Sequence, residues 1–432
     1  MKNSTLREAI GSSTPERIDL QSLKDSVHKR LLGRLGAQLY AGEIDPVQLE
    51  KLVYESVSEE IDASERSISS LIRANLVQEV VDEVLGIGPI QQLLRNPKVT
   101  EIMVNRFDSI YFEENGQLYQ SELSYSSEEH LRRTIERIVA NVGRRIDESS
   151  PLVDARLPDG SRVNAVVPPI SVDGATLTIR KFAADPFGTD DLIEFGTLTQ
   201  DAVEFLDACI QARLNILISG GTGSGKKTTL NVLSSLIPEN ERIITVEDAA
   251  ELRLNQPHVV RLESRPVNIE GEGLVSVRDL VRNALRMRPD RIVVGEVRDG
   301  AALDMLQAMN TGHDGSLTTL HANSPKDALI RLENLVLMAG VDIPLRAIRE
   351  QIVEALDLVL HQARLRDGSR RIIAISEITG IDQESIQLQE IFRFSLSQEN
   401  SKENIGSLTS TGLPLNRRKK FELRDIAIPK GK

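Results

Sequence analysis

The nine residues Gly220-Gly221-Thr222-Gly223-Ser224-Gly225-Lys226-Lys227-Thr228 have the composition and spacing of a phosphate-binding loop. Glycines so spaced let backbone N–H groups converge on a polyphosphate, and Lys226 is placed to reach its outer oxygens. The next position ordinarily carries a Ser or Thr hydroxyl that holds magnesium; this chain has Lys227 there. Thr228, one residue further along a helix, is turned about 100° away and is a poor substitute ligand. An ammonium about 4 Å from a divalent cation, at an effective dielectric near 20, is repelled by about 8 kcal/mol. Either Lys227 swings out of the metal position or it replaces the ion.

Four carboxylates follow at chemically useful places. The apolar run from Arg242 ends on Glu247 and Asp248, with Glu251 four residues on, and the run from Arg291 ends on Glu296. Acids at the C-terminal ends of parallel strands face the ligand crevice of an open α/β sheet. There they can polarise an attacking water or hold a metal-bound one, which makes Glu247, Glu251 and Glu296 the candidate catalytic acids and Glu296 the candidate metal ligand. His313 and His321 lie among small polar residues and are candidate sensors of a terminal phosphate; their spacing fits no familiar zinc site. Arg286, Arg288 and Arg298 flank the Glu296 strand, one of them a candidate phosphate contact. Arg156, Arg162, Arg180 and Lys181 cluster around turns and a strand end further upstream, where guanidinium groups could stabilise a γ-phosphate.

The elements that must hold these residues can be read around them. Leu214–Ile218 is a short buried strand before the loop, and a helix is expected from Thr228 onward. Upstream, Leu20, Leu23, Val27 and Leu31 recur at helical spacing, and Asp45-Pro46 opens a second helix carrying Leu49, Val53 and Val57. Gly86–Pro89 breaks that pattern. Strands are expected at Glu101–Val104 and Ser109–Phe112 with a turn at Asn115-Gly116, an amphipathic helix at Ser127–Val142, and a last strand at Ala175–Phe182. The expected organisation is a helical region over 1–85, an α+β domain over 86–182, a linker over 183–199, an α/β nucleotide-binding domain over 200–396, and a mobile basic tail over 397–432.

Composition narrows the function classes. The 432 residues carry a net charge of −12, no Trp and 3% aromatics, which argues against a general nucleic-acid binder and against base-stacking platforms. The only cysteine, Cys209, permits no disulfide framework. Met1–Ser13 has no apolar signal core, and no apolar stretch approaches the ~20 residues that span a bilayer. The chain therefore reads as soluble and cytoplasmic.

Taken together, the motifs resemble those of the secretion-superfamily traffic ATPases of type II and type IV secretion and type IV pili, in particular the CpaF/TadA-like ATPases of tight-adherence (Flp) pili. The resemblance covers about residues 80–395. It is carried by Leu85–Pro89, Val99–Asn105, Asp154–Arg162, Leu177–Phe182, the phosphate loop, the Thr245–Glu251 and Arg291–Glu296 segments, and the run from Gly312 to Ser324. It implies a RecA-like P-loop motor domain behind a smaller α+β domain that swings over the nucleotide, with ATP and Mg2+ as ligands and Arg162 and Arg180 as phosphate contacts. It further implies a homo-hexameric ring, peripheral to the inner membrane through a platform protein, that powers pilus assembly or secretion. No four-cysteine zinc insert is present, as in the tight-adherence branch. Lys227 motivates a rival, a ring subunit that binds nucleotide without turning it over; a DNA-translocating motor is disfavoured by acidity and scarce aromatics.

Overall fold

Pro46, whose fixed φ suits a first helical turn, begins helix α1 (Pro46–Ala63), and α2 (Ser70–Val84) follows. The computed structural model describes residues 46–63, 70–84, 86–114, 116–182, 187–265, 267, 272–396 and 406–429. The helix expected over Leu20–Leu31 lies outside the described residues. Two compact units, 1–183 and 184–432, divide the chain.

In the first unit a short 3-10 turn at Gly88–Ile90 leads into α3 (Gln91–Arg95). The strands β1 (Val99–Arg106), β2 (Ser109–Glu114) and β3 (Gln117–Gln120) precede α4 (Glu128–Ala140), and β4 (Leu152–Arg156), β5 (Arg162–Val166) and β6 (Thr176–Arg180) follow it. All pair antiparallel in the order β3-β2-β1-β6-β5-β4. Helix α4 starts where Ser127 Oγ accepts the His130 N–H at 3.1 Å, a side-chain cap. Its apolar stripe Leu131, Ile135, Ile138 and Val139 is buried with Ile102, Val104, Val163, Leu177 and Ile179 from alternate strand positions, as period-2 burial on one sheet face requires. The other face carries a cross-strand row, Glu101 opposite Arg180, Arg180 opposite Arg162, and Arg162 opposite Arg156.

The second unit opens on α5 (Thr189–Glu194) and α6 (Gln200–Gln211), then β7 (Ile216–Gly220), α7 (Lys226–Ser235), β8 (Ile243–Glu247) and β9 (Val259–Glu263). It continues through α8 (Val277–Ala284), β10 (Arg291–Val294), α9 (Ala301–Asn310), β11 (Leu317–His321), α10 (Pro325–Leu337) and α11 (Leu345–Ala355). The chain then forms β12 (Leu358–Arg364), β13 (Arg370–Asp382), β14 (Ser385–Leu396), β15 (Gly406–Ser410) and α12 (Arg418–Glu422). One nine-stranded sheet runs β15-β14-β13-β12-β7-β11-β10-β8-β9. From β12 to β9 neighbours are parallel, and from β12 to β15 antiparallel. The central strands β7, β8 and β10 are buried throughout, as a sheet with helices on both faces demands. One core joins α6 and α7 to Ile216 and Ile218; the other joins α8, α9, α10 and α11 to Leu217, Ile244 and Val294.

Two expected segments differ. Of the expected linker 183–199, the stretch 187–199 belongs to the second unit: Leu192 and Leu198 are in its core, and Thr197 Oγ1 donates to Arg370 O at 2.8 Å. Of the expected mobile tail 397–432, residues 406–429 are structured. Strand β15 pairs with the edge of β14, and Leu408, Leu415 and Phe421 enter the core. Charges fix the rest: Lys420 Nζ donates to Asp357 at 2.7 Å and Asp314 at 2.8 Å, and Glu377 accepts from the Asn416 and Arg417 N–H groups. Asp357 and Glu377 are fully buried. The Ser- and Gly-rich composition concealed three well-spaced apolar anchors, the basic residues that neutralise buried Asp357 and the N–H groups that satisfy buried Glu377.

Candidate nucleotide-binding site

Parallel pairing aligns the C-terminal ends of β7, β11, β10 and β8, so the loop after β7, the end of β11 and the acids after β10 and β8 meet at one sheet edge. This is where ligands bind in open α/β sheets. Gly220 leaves β7 in a conformation (φ +157°) and a space that only glycine fits: an added Cβ would sit 2.2 Å from the Gln362 carbonyl oxygen. Gly221, Thr222 and Gly223 are exposed and Ser224 is buried. Ser224 Oγ donates to Gly221 O at 2.9 Å, and Gly225 caps α7, which starts at Lys226.

Lys226 Nζ donates to Gly221 O at 2.7 Å and lies 3.5 Å from Nδ1 of His321. Burial pushes its pKa down, against the pull of Glu296, and Lys227 and Arg298 push it down further. Lys227 donates to Oε2 of Glu251 at 2.7 Å; the two side chains keep 30% and 24% of their exposure. Thr228 is half-buried, and Thr229 Oγ1 donates to Gln362 Oε1 at 2.9 Å.

The acids differ in surroundings. Glu247 is buried and accepts from the backbone N–H of Glu251 at 2.9 Å and of Leu252 at 3.2 Å. Burial raises its pKa, opposed by those two N–H groups and by Lys227. Gly295 must be glycine here, because a Cβ would stand 2.8 Å from Cγ of Glu247. Glu296 receives Arg298 Nη2 at 2.7 Å on one oxygen and His321 Nε2 at 2.9 Å on the other. Burial pushes its carboxyl up, but Arg298, His321 and Lys227 together hold it below the usual range. Arg298 also reaches Asp248 at 3.3 Å. The resulting chain runs Lys226, His321, Glu296, Arg298, Asp248.

The donors do not suit a magnesium ion. The loop position whose hydroxyl would ligate the ion holds the ammonium of Lys227 instead, and the strand-end acid Glu296 is drawn to Arg298 and His321. The expectation of Glu296 as a metal ligand thus meets a carboxylate paired with Arg298 on one oxygen and with His321 on the other.

A sequence profile described as Type II/IV secretion system protein matches residues 83–393, across both units. The chain belongs to this family. A Mycobacterium tuberculosis protein named for conjugal transfer is 39% identical over 300 residues, covering 68% of this chain and 85% of that protein. The type IV secretion system protein VirB11 of Bartonella quintana is 31% identical over 342 residues, covering 69% of this chain and 94% of the relative. Among solved structures, the pilus retraction motor PilT with bound ADP shares the fold at a TM-score of 0.50 and 20% identity, over 78% of this chain and 85% of that one.

Within this family member, the remaining expected site residues separate. His321 ends β11 beside the loop, whereas His313 precedes the start of β11, at the opposite end of the strand, where its Nδ1 sits 3.2 Å from Ala308 O. His313 is thereby removed from the candidate site: an extended strand between the two histidines carries them apart. Arg162 and Arg180 stand opposite each other in the first unit, with Arg180 Nη2 3.7 Å from Glu101. Two site residues went unforeseen. Arg370 donates to Gly223 O at 3.0 Å, and Gln362 accepts from Thr229 Oγ1 while its backbone lies opposite Gly220 in the β12–β7 pairing, closely enough to leave no room for a side chain there. Their only sequence signal is a polar Gln ending an apolar run and an Arg beside the Asp367-Gly368 turn.

Proposed function

We propose that this chain is a nucleotide-dependent motor of a type IV pilus-like or secretion system, of the tight-adherence kind, acting as a homo-hexameric ring at the cytoplasmic side of an inner-membrane platform. The observation that carries the nucleotide reading is the convergence of Lys226, His321, Glu296 and Arg298 beside a glycine-rich loop at the start of α7. Loop amides and Lys226 bind the phosphates, and His321, hydrogen-bonded to Glu296, reports on the outermost one. Glu296 orients water for ATP hydrolysis, and Glu247 holds the 248–252 turn through its backbone contacts. Arg162 and Arg180 supply positive charge to the γ-phosphate. Conjugal-transfer and type IV secretion proteins among the relatives support the transport setting, and among the described residues no helix is long and apolar enough to cross a membrane.

The Lys227–Glu251 pair favours a second reading of turnover: a ring subunit that binds ATP and hydrolyses it slowly. Light scattering with and without nucleotide tests the ring. A hexamer with ATP is expected, and a strict monomer at micromolar concentration in every nucleotide condition contradicts the motor reading.

A further inference from the structure

The mismatch between the phosphate loop and a magnesium ion has a specific consequence. We propose that Lys227 is the cation this chain supplies at the phosphates in place of the metal, exchanging the Glu251 carboxylate for phosphate oxygens when nucleotide enters, so that ATP and ADP bind without a divalent ion. The inference rests on the nucleotide-binding reading above.

Lys226 and Lys227 are the first two residues of α7. A helix N-terminus favours anions and disfavours cations, so two adjacent ammonium groups there require nearby acceptors. In the structure Lys226 takes the Gly221 carbonyl and Lys227 takes Glu251. The Lys227–Glu251 pair is partly exposed on both sides, and ion pairs of that kind contribute little. A triphosphate offers the same ammonium several charged oxygens, and hydrogen bonds between an ammonium and phosphate are among the stronger ones. The flexible four-carbon stem that lets Lys227 reach Glu251 also lets it turn back toward its own helix start.

The acids nearby do not compete for the role. Glu296 remains tied to Arg298 and His321, and Glu247 to the 251 and 252 backbone. Glu251 alone changes partner in the exchange. Nucleotide occupancy is thereby coupled to the 248–252 turn, since the Glu251 N–H is held by Glu247 while its carboxylate is released.

The test is titration of the full chain with a fluorescent ATP analogue, and with ADP by calorimetry, in magnesium and again in EDTA. The unmodified chain is expected to change its Kd by less than about threefold on metal removal, and a Lys227→Thr variant to weaken about tenfold or more. Glu251→Gln, which removes the competing carboxylate but keeps the side-chain shape, is expected to tighten metal-free binding by about threefold. Thermal melts establish that each variant is folded. A tenfold weakening of the unmodified chain in EDTA, matching the Thr variant, overturns the inference while leaving nucleotide binding intact. Failure to bind nucleotide in either buffer overturns the nucleotide-binding reading and this inference with it.

Discussion

His321 Nε2 lies 2.9 Å from Glu296 Oε1, while the ring's other nitrogen lies 3.5 Å from Lys226 Nζ. In the neutral tautomer that donates from Nε2, both contacts are satisfied at once, with Nδ1 left to accept from the ammonium. Burial first, and then the charge on Lys226, hold the His321 pKa below its ordinary value.

A pH dependence follows from this and from His361, which burial also holds low beside Ser219. The folded state refuses protons that the unfolded chain takes up near pH 6.5, so this stability is present above 6.5 and is lost as pH falls toward the lowered folded values. Glu247, held above its ordinary 4.5 by burial, acts in the opposite sense starting from that lower value. The melting temperature is expected to drop by about 2 to 4 °C between pH 7.5 and 5.5. A His361→Gln variant should show a shallower slope; an unchanged slope contradicts the assignment.

Truncation after residue 405 should destabilise the second unit and not merely shorten it. Removal strips Lys420 and Arg417 from Asp357 and the Asn416 and Arg417 N–H groups from Glu377, both carboxylates being fully buried. Breaking one buried pair by removing its partner costs about 3 kcal/mol or more, so Lys420→Met alone should be visible in urea unfolding. An unchanged midpoint for the truncated chain would show that the 406–429 segment does not hold the unit together.

Arg162→Ala and Arg180→Ala should each weaken ATP more than ADP, by about tenfold in the ratio of affinities, because the charge they are assigned to meet is on the γ-phosphate. Equal losses for the two nucleotides, or none, would return the Arg156–Arg162–Arg180 row to a purely structural role.

What could be read from the sequence was what local spacing carries. The loop from Gly220 to Thr228, the buried strands around it and the acids at strand ends are encoded within a few residues of each other, and the structure has β7, β8 and β10 where those apolar runs lie. Contacts set by topology were not legible. Arg370 meets Gly223 from 147 residues away along the chain, and Gln362 meets Thr229 from 133. His313 and His321 looked equivalent in a short polar run, and only the intervening strand tells them apart. The tail was misjudged because burial of Leu408, Leu415 and Phe421 depends on an edge strand and two carboxylates contributed by distant segments. Of the two outcomes that Lys227 suggested, swinging out or replacing the ion, neither names Glu251, and only the three-dimensional placement of the 248–252 turn brings that carboxylate to the ammonium.

The central claim is that Lys227 occupies the role a hydroxyl and its metal ordinarily fill, and steady-state phosphate release tests it most directly. Unmodified chain and Lys227→Thr are purified identically and assayed in ATP and magnesium, with Lys226→Ala on each background to measure contaminating activity. The account predicts turnover at least about tenfold faster in the Thr variant, a difference of about 1.4 kcal/mol in barrier. Equal rates above the Lys226→Ala background would contradict it, showing that Lys227 stands clear and the loop works as it is.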